Sequence, residues 1–255
     1  MLLAIDIGNS STVLGVFDGP DLTHRWRLST LPDSTPDELA LRVSGLLRFA
    51  GLTFEDLDGV ALSCVVPPLT ATFRTAAKRY LPPTPVIVEP GVRTGVPLRV
   101  DNPRDVGADR IVNAVAAHDL YGGPTIVVDF GTATQFDVVS AQGEFLGGAI
   151  APGVAASTAA LVARTARLPT VETTRPPSAI GRSTVTALQS GIVYGAAGQV
   201  DGIVDRIRGE LGPGVTTVAT GGLAPAVLEA CATIDHHDPS LTLKGLARVW
   251  ERNRP

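Results

Sequence analysis

The strongest constraint on the fold is a strand opening that occurs twice. Ile5-Asp6-Ile7-Gly8-Asn9-Ser10 is matched by Val128-Asp129-Phe130-Gly131-Thr132-Ala133, close to the midpoint of the 255-residue chain. Each opening reads as a buried strand, then Asp-x-Gly, then small polar residues, then a return strand (TVLGVF at 12–17, QFDVVS at 135–140). The repeated architecture predicts a duplicated domain with a cleft between its halves.

The same two turns carry the first chemistry. Asp6 and Asp129 end apolar strands, where a lone carboxylate is expensive to bury. Gly8 and Gly131 leave the turns open, so that backbone N–H groups and the hydroxyls of Ser10, Ser11, Thr12, Thr132 and Thr134 can reach an anion. That set suits nucleotide phosphates with a bound cation. Taken singly, either turn is equally an ordinary hairpin, with Gly serving the turn and Asp accepting its hydrogen bonds. Recurrence at matching positions favours the anion-binding reading.

Between and after the openings, strands alternate with helices, which predicts an α/β chain. Thr35-Pro36-Asp37-Glu38 starts a helix with a capping box and a proline in the first turn, and Gly51 ends it. A buried strand at 59–66 stops at Pro67-Pro68, followed by a helix over 68–80 and a strand at 85–89. Residues 90–106, rich in Gly, Pro and charge, form a linker, which divides the chain into domains 1–106 and 107–255. The second half predicts a helix at 108–120, strands at 125–130, 135–140 and 144–150, and a helix at 153–165. A polar stretch (169–182), a long helix (183–211), a strand (215–220) and helices near 223–231 and 240–252 complete it.

Further constellations fall at element boundaries. Asn102 to Arg110 (NPRDVGADR) crosses a linker-to-helix junction and puts Asp109 in a first helical turn. A carboxylate there either takes a proton from a substrate hydroxyl or simply favours the helix dipole. Arg110 beside it suits a carboxylate or phosphate. Gly147 to Gly153 leads into a helix N-terminus, and Thr220-Gly221-Gly222 follows a buried strand. Gly191, Gly195, Gly198 and Gly202 recur inside the long helix, where each costs about 1 kcal/mol against Ala. Tight packing within one chain and a subunit interface both account for them. His236-His237-Asp238 has no metal-ligand spacing and reads as a C-terminal loop.

Composition narrows the classes. Hydrophobic residues make up 44% and charged residues 18%, enough for a core and against a disordered chain. No apolar run approaches the roughly 20 residues of a membrane span, and Asp6 interrupts an N-terminus without basic residues, so neither a span nor a signal peptide is expected. A net charge of −4 and a pI near 5.6 argue against binding nucleic-acid backbones. Cys64 and Cys231 are the only cysteines and form neither a disulfide framework nor a zinc pattern. A cytoplasmic protein is the expectation. There is no Walker-type Gly-x-x-x-x-Gly-Lys-Ser/Thr stretch, and no Ser/His/Asp or Cys/His nucleophile set.

Together the motifs closely resemble the type III pantothenate kinases. The matching segments are 6–11 (DIGNSS), 102–117, 129–137 (DFGTATQFD), 147–153 (GGAIAPG), 181–191, 220–222 (TGG) and 238–246, in one order over nearly the whole chain. The resemblance implies a duplicated ribonuclease-H-like fold of the actin, sugar-kinase and Hsp70 superfamily. It implies transfer of the ATP γ-phosphoryl group to the 4′-hydroxyl of pantothenate, the first step of coenzyme A synthesis, in a homodimer. Magnesium and a monovalent cation, potassium or ammonium, are the implied cofactors.

Residue by residue, it implies that Asp6, Ile7, Gly8, Asn9, Ser10, Ser11, Thr12, Val13 and Thr132 bind ATP. Asp109 is the implied catalytic base; Gly107, Ala108, Asp109, Arg110 and Thr184 hold pantothenate, and Asp129 holds the monovalent cation. Val100 stands where many members carry an aromatic residue, and Ser10 replaces a common Thr while keeping the hydroxyl. Two other readings stand beside this one: another small-molecule kinase or polyphosphatase of the superfamily, against which the short length and the Gly-Ala-Asp-Arg segment speak, and a non-catalytic regulator, which loss of Asp6 or Asp109 would favour. Both aspartates are present.

Overall fold

A computed structural model describes residues 1–81 and 85–254. By packing, the chain divides into two compact units. The first runs from Met1 to Ala116 and takes back the last helix; the second is Ala117–Ser240.

The first unit is built on a five-stranded sheet. Strands β1 (Leu2–Ile7), β2 (Ser11–Asp18) and β3 (Asp21–Ser29) form an antiparallel meander, while β4 (Gly59–Cys64) and β5 (Val86–Ile87) lie parallel to β1, in the order β3-β2-β1-β4-β5. Alternation decides the faces. Leu3, Ile5, Ile7, Leu14 and Val16 pack against Val43 and Leu47 of α1 (Pro36–Phe49) and Leu69, Phe73 and Ala77 of α2 (Pro67–Tyr80). The expected capping box is formed: Glu38 N donates to Thr35 Oγ1 at 3.3 Å and Thr35 N to Glu38 Oε2 at 2.8 Å. Of the strand expected at 85–89, only Val86–Ile87 pair in the sheet.

The second unit repeats the frame. Strands β6 (Thr125–Phe130), β7 (Ala133–Val139) and β8 (Phe145–Pro152) are antiparallel; β9 (Thr216–Thr220) and β10 (His236–His237) run parallel to β6, giving β8-β7-β6-β9-β10. Ile126, Val128, Phe130 and Phe136 pack against α4 (Val154–Ala163), α5 (Thr184–Leu211) and α6 (Ala224–Val227) through Val154, Ala197, Val200, Val204 and Val227. The strand order, the strand directions and the side from which β1 and β6 are covered thus coincide, so the duplication extends to topology.

Three expectations meet differences. The division falls inside α3 (Ala108–Tyr121) and not at 106/107. The last helix, α7 (Leu241–Asn253), packs with the first unit, because glycines there admit its side chains and backbone. The Trp250 indole lies where a Cβ on Gly59 would stand, Leu243 crowds Gly15, and Gly245 lies against the Val112 carbonyl. His236-His237, expected in a loop, form an edge strand on β9, and the adjacent Asp235 accepts a 2.7 Å bond from Thr217 N. No helix among the described residues is long and apolar enough to cross a membrane.

Candidate functional site

In the first unit, Asp6 lies on the sheet face opposite α1 and α2, in register with Val13 on β2 and Ser63 on β4. The chain then turns through Gly8, Asn9 and Ser10, with Gly8 N donating to Ser11 O at 3.0 Å. Thr30, just past β3, holds this turn. Its hydroxyl donates to Gly8 O at 2.7 Å and contacts Thr12 Oγ1 at 3.0 Å, and its amide donates to Ser10 O at 3.2 Å. Two of the turn's carbonyls are thereby tied back toward β3, while Asn9 and Ser10 are exposed. The side chain of Ile7 is fully buried in the core, which leaves it only main-chain groups to offer a ligand.

The Asp109 segment reaches the same end of this sheet. Val65 N continues the β1–β4 ladder by donating to Ile7 O at 3.0 Å, and Val65 Cγ1 lies 3.6 Å from the Cβ position of Gly107. Asn102 Nδ2 donates to Asp105 Oδ2 at 2.6 Å, and Gly107 O accepts from Ile111 N at 3.2 Å to begin α3. Asp109 stands in the first turn with Arg110 beside it, both half-buried. The carboxylate of Asp109 occupies the space a side chain on Gly107 would take.

In the second unit the repeat is shortened. Ile7 pairs with Thr12, but Phe130 pairs with Thr134, so the second turn has one residue fewer and Gly131 N donates to Ala133 O at 3.0 Å. Glycines crowd around it. Gly221, at φ +95°, abuts Asp129 Oδ1 and the Phe130 backbone; Gly131 has its Cβ position 3.6 Å from Asp129 Oδ1; Gly153 lies against the Thr132 and Gly131 carbonyls. Asp129, Thr132, Gly153 and Gly221 are therefore neighbours around one turn. Thr184 is elsewhere in this unit: it is the first residue of α5, exposed, behind the Ser183 cap, on an open cavity of about 650 Å³ shared with Gly181, Arg182 and Leu188.

No group of three or more His, Cys, Asp or Glu able to hold a metal occurs among the described residues. A cation at Asp129 would rest on that carboxylate together with backbone and hydroxyl oxygens, a donor set suited to a hard cation. The cradle of Gly131 and Gly221 around the carboxylate fits this.

Sequence reasoning missed Thr30 and Arg27, whose guanidinium donates to Ser11 Oγ from Nε at 3.0 Å and Nη2 at 2.8 Å. The signal was the β2–β3 register, which sets Val13 opposite Arg27 and Ser11 opposite Ser29.

Solved structures share this fold. The activator of the 2-hydroxyisocaproyl-CoA dehydratase from Clostridium difficile with bound ADPNP matches with a TM-score of 0.57 at 13% identity, over 97% of this chain and 92% of that one. A ROK hexokinase from Thermus thermophilus matches with a TM-score of 0.53 at 17% identity, over 97% of each. The two duplicated sheets and these matches give the chain an α/β fold of the actin, sugar-kinase and Hsp70 type. The family model for type III pantothenate kinases matches residues 2–206, and a type III pantothenate kinase of Thermobifida fusca is 56% identical over 99% of this chain and 100% of its own. The chain belongs to the type III pantothenate kinase family.

Proposed function

We propose that this protein transfers the γ-phosphoryl group of ATP to the 4′-hydroxyl of pantothenate, opening coenzyme A synthesis. The observation that carries the reading is the Asp109 carboxylate, seated over Gly107 at the start of α3, at the same end of the first sheet as the turn after Asp6. Phosphoryl transfer asks for positioning and charge neutralisation with little covalent work. Asp109 accepts the proton of the attacking hydroxyl. Gly107, Ala108 and Arg110 hold pantothenate beside it, with Thr184 a further contact. Residues Asp6 to Val13 take the ATP phosphates through main-chain N–H groups and hydroxyls, and Thr132 adds another.

Asp129 is the proposed ligand of potassium or ammonium, which supplies positive charge toward the phosphates; magnesium accompanies ATP. A homodimer through α5 is supported by its glycines. A Cβ on Gly191, Gly195 or Gly198 would meet nothing within 4 Å among the described residues, so close approach of a neighbouring element there does not account for them. Gly191 and Gly195 line a cavity of about 350 Å³ with Leu161 and Ile192. A cytoplasmic location accords with a metabolic kinase.

The test is ATP-dependent formation of phosphopantothenate by the purified protein, with and without potassium. Product that requires both ATP and pantothenate supports the reading. ATP bound without turnover would favour a regulatory relative.

A further inference from the structure

We propose that Arg27 is a phosphate-binding residue of the nucleotide turn, acting as a pair with Ser11. The inference rests on the assignment of ATP to residues 6–13. That segment, Asp-Ile-Gly-Asn-Ser-Ser-Thr-Val, contains an acid and no Lys or Arg, in a chain of net charge −4. A polyphosphate held there needs positive charge from another element, and the register brings it. Asp6 pairs with Val13 and Val13 with Arg27, so Asp6 and Arg27 project from one face of the sheet, with Val13 between them. Ser11, two residues before Val13, reaches Arg27 along the diagonal.

The hydrogen bonds fix what each partner has left to give. A serine hydroxyl has two acceptor sites and one proton. Arg27 Nε and Nη2 both donate to Ser11 Oγ, which leaves that hydroxyl its proton to donate outward. Donation from a cation also polarises the O–H and makes it a better donor. Arg27 retains its remaining N–H groups, is exposed, and pairs with no carboxylate among the described residues. A guanidinium fork held in place and otherwise unspent matches phosphate oxygens. Thr30 completes the arrangement by holding the Gly8 and Ser10 carbonyls away from the anion. The charge is no requirement of the sheet itself. In the second unit Gln135 takes the place of Val13, and the residue opposite it is Ile150.

The experiment measures nucleotide binding and steady-state kinetics for Arg27→Gln, Arg27→Lys, Ser11→Ala and the Arg27→Gln/Ser11→Ala double variant. Expected for Arg27→Gln are a KM for ATP raised at least tenfold, a pantothenate KM within twofold, and an unchanged melting temperature. ADP should bind at least tenfold more weakly and adenosine equally well. Lysine, which keeps charge without the fork, should restore part of the ATP KM, and the double variant should lose less than the product of the single losses. An ATP KM unchanged in Arg27→Gln, or equal weakening of ADP and adenosine, overturns the proposal. Should Arg27→Gln not fold, Ser11→Ala decides: weaker ADP with unchanged adenosine supports the pair, and unchanged ADP overturns it. ADP binding does not depend on the acceptor, so a failure to phosphorylate pantothenate would strike the proposed function and leave this result readable.

Discussion

The carboxylate of Asp109 lies where a Cβ on Gly107 would stand. Gly107 has no positive φ, so an alanine adopts its backbone freely and only the carboxylate must move. Gly107→Ala is expected to lower kcat at least tenfold, about 1.4 kcal/mol of barrier, with ATP KM and melting temperature nearly unchanged. Kinetics with both substrates varied checks this; an unaltered kcat would show that the orientation of Asp109 is not set by Gly107.

Asp129 is predicted to govern the response to monovalent cations. Turnover in potassium or ammonium should exceed turnover in sodium alone, and Asp129→Asn should flatten the difference. Equal wild-type rates in the three salts would remove the cation from the account.

The α1 cap gives a stability prediction with a defined pH dependence. The Thr35 backbone N–H, and then its hydroxyl, bind the Glu38 carboxylate and hold its pKa below the usual 4.5. Because folding lowers this pKa, the contribution is complete above about pH 4.5 and fades as pH falls through the lower, folded-state value. Thr35→Ala should cost about 1 kcal/mol at pH 7. Denaturant melts at pH 7 and pH 3 should show the gap between wild type and variant narrowing in acid; a gap that widens contradicts the assignment.

The open glycines of α5 separate assembly from folding. The wild-type chain is expected to be a dimer at micromolar concentration by light scattering. A Cβ at Gly195 meets nothing within 4 Å among the described residues, so Gly195→Trp should fold with native circular dichroism yet shift to monomer. A wild-type monomer, or a variant that remains dimeric, would move the interface off this helix.

Much of this architecture is legible because it is local. The Asp-x-Gly turns, the Thr35 capping box and the long α5 each announce themselves within a few residues. What escaped depends on distant partners. Nothing near Gly59 says that Trp250 will cover it, so α7 could not be returned to the first unit. The polar pair His236-His237 carries no strand signature and is a strand only because β9 offers an edge. Thr30 and Arg27 reach the turn through a β2–β3 pairing with an irregularity at Val16/Phe17, which shifts the register beyond what alternation alone predicts. The shortened second turn was hidden for a related reason: the repeat aligns through Gly131 and loses one residue only at the hairpin.

Asp109→Asn tests the central claim most directly. Asn keeps the size of the side chain and removes the proton acceptor. In an assay of ATP-dependent phosphopantothenate formation, the variant should lose about 10²–10⁴ in kcat while binding ATP as the wild type does. The lower end applies if proton transfer is late in a loose transition state. Retention of more than about a tenth of wild-type kcat, less than roughly 1.4 kcal/mol of barrier, would contradict the assignment of Asp109 as the base.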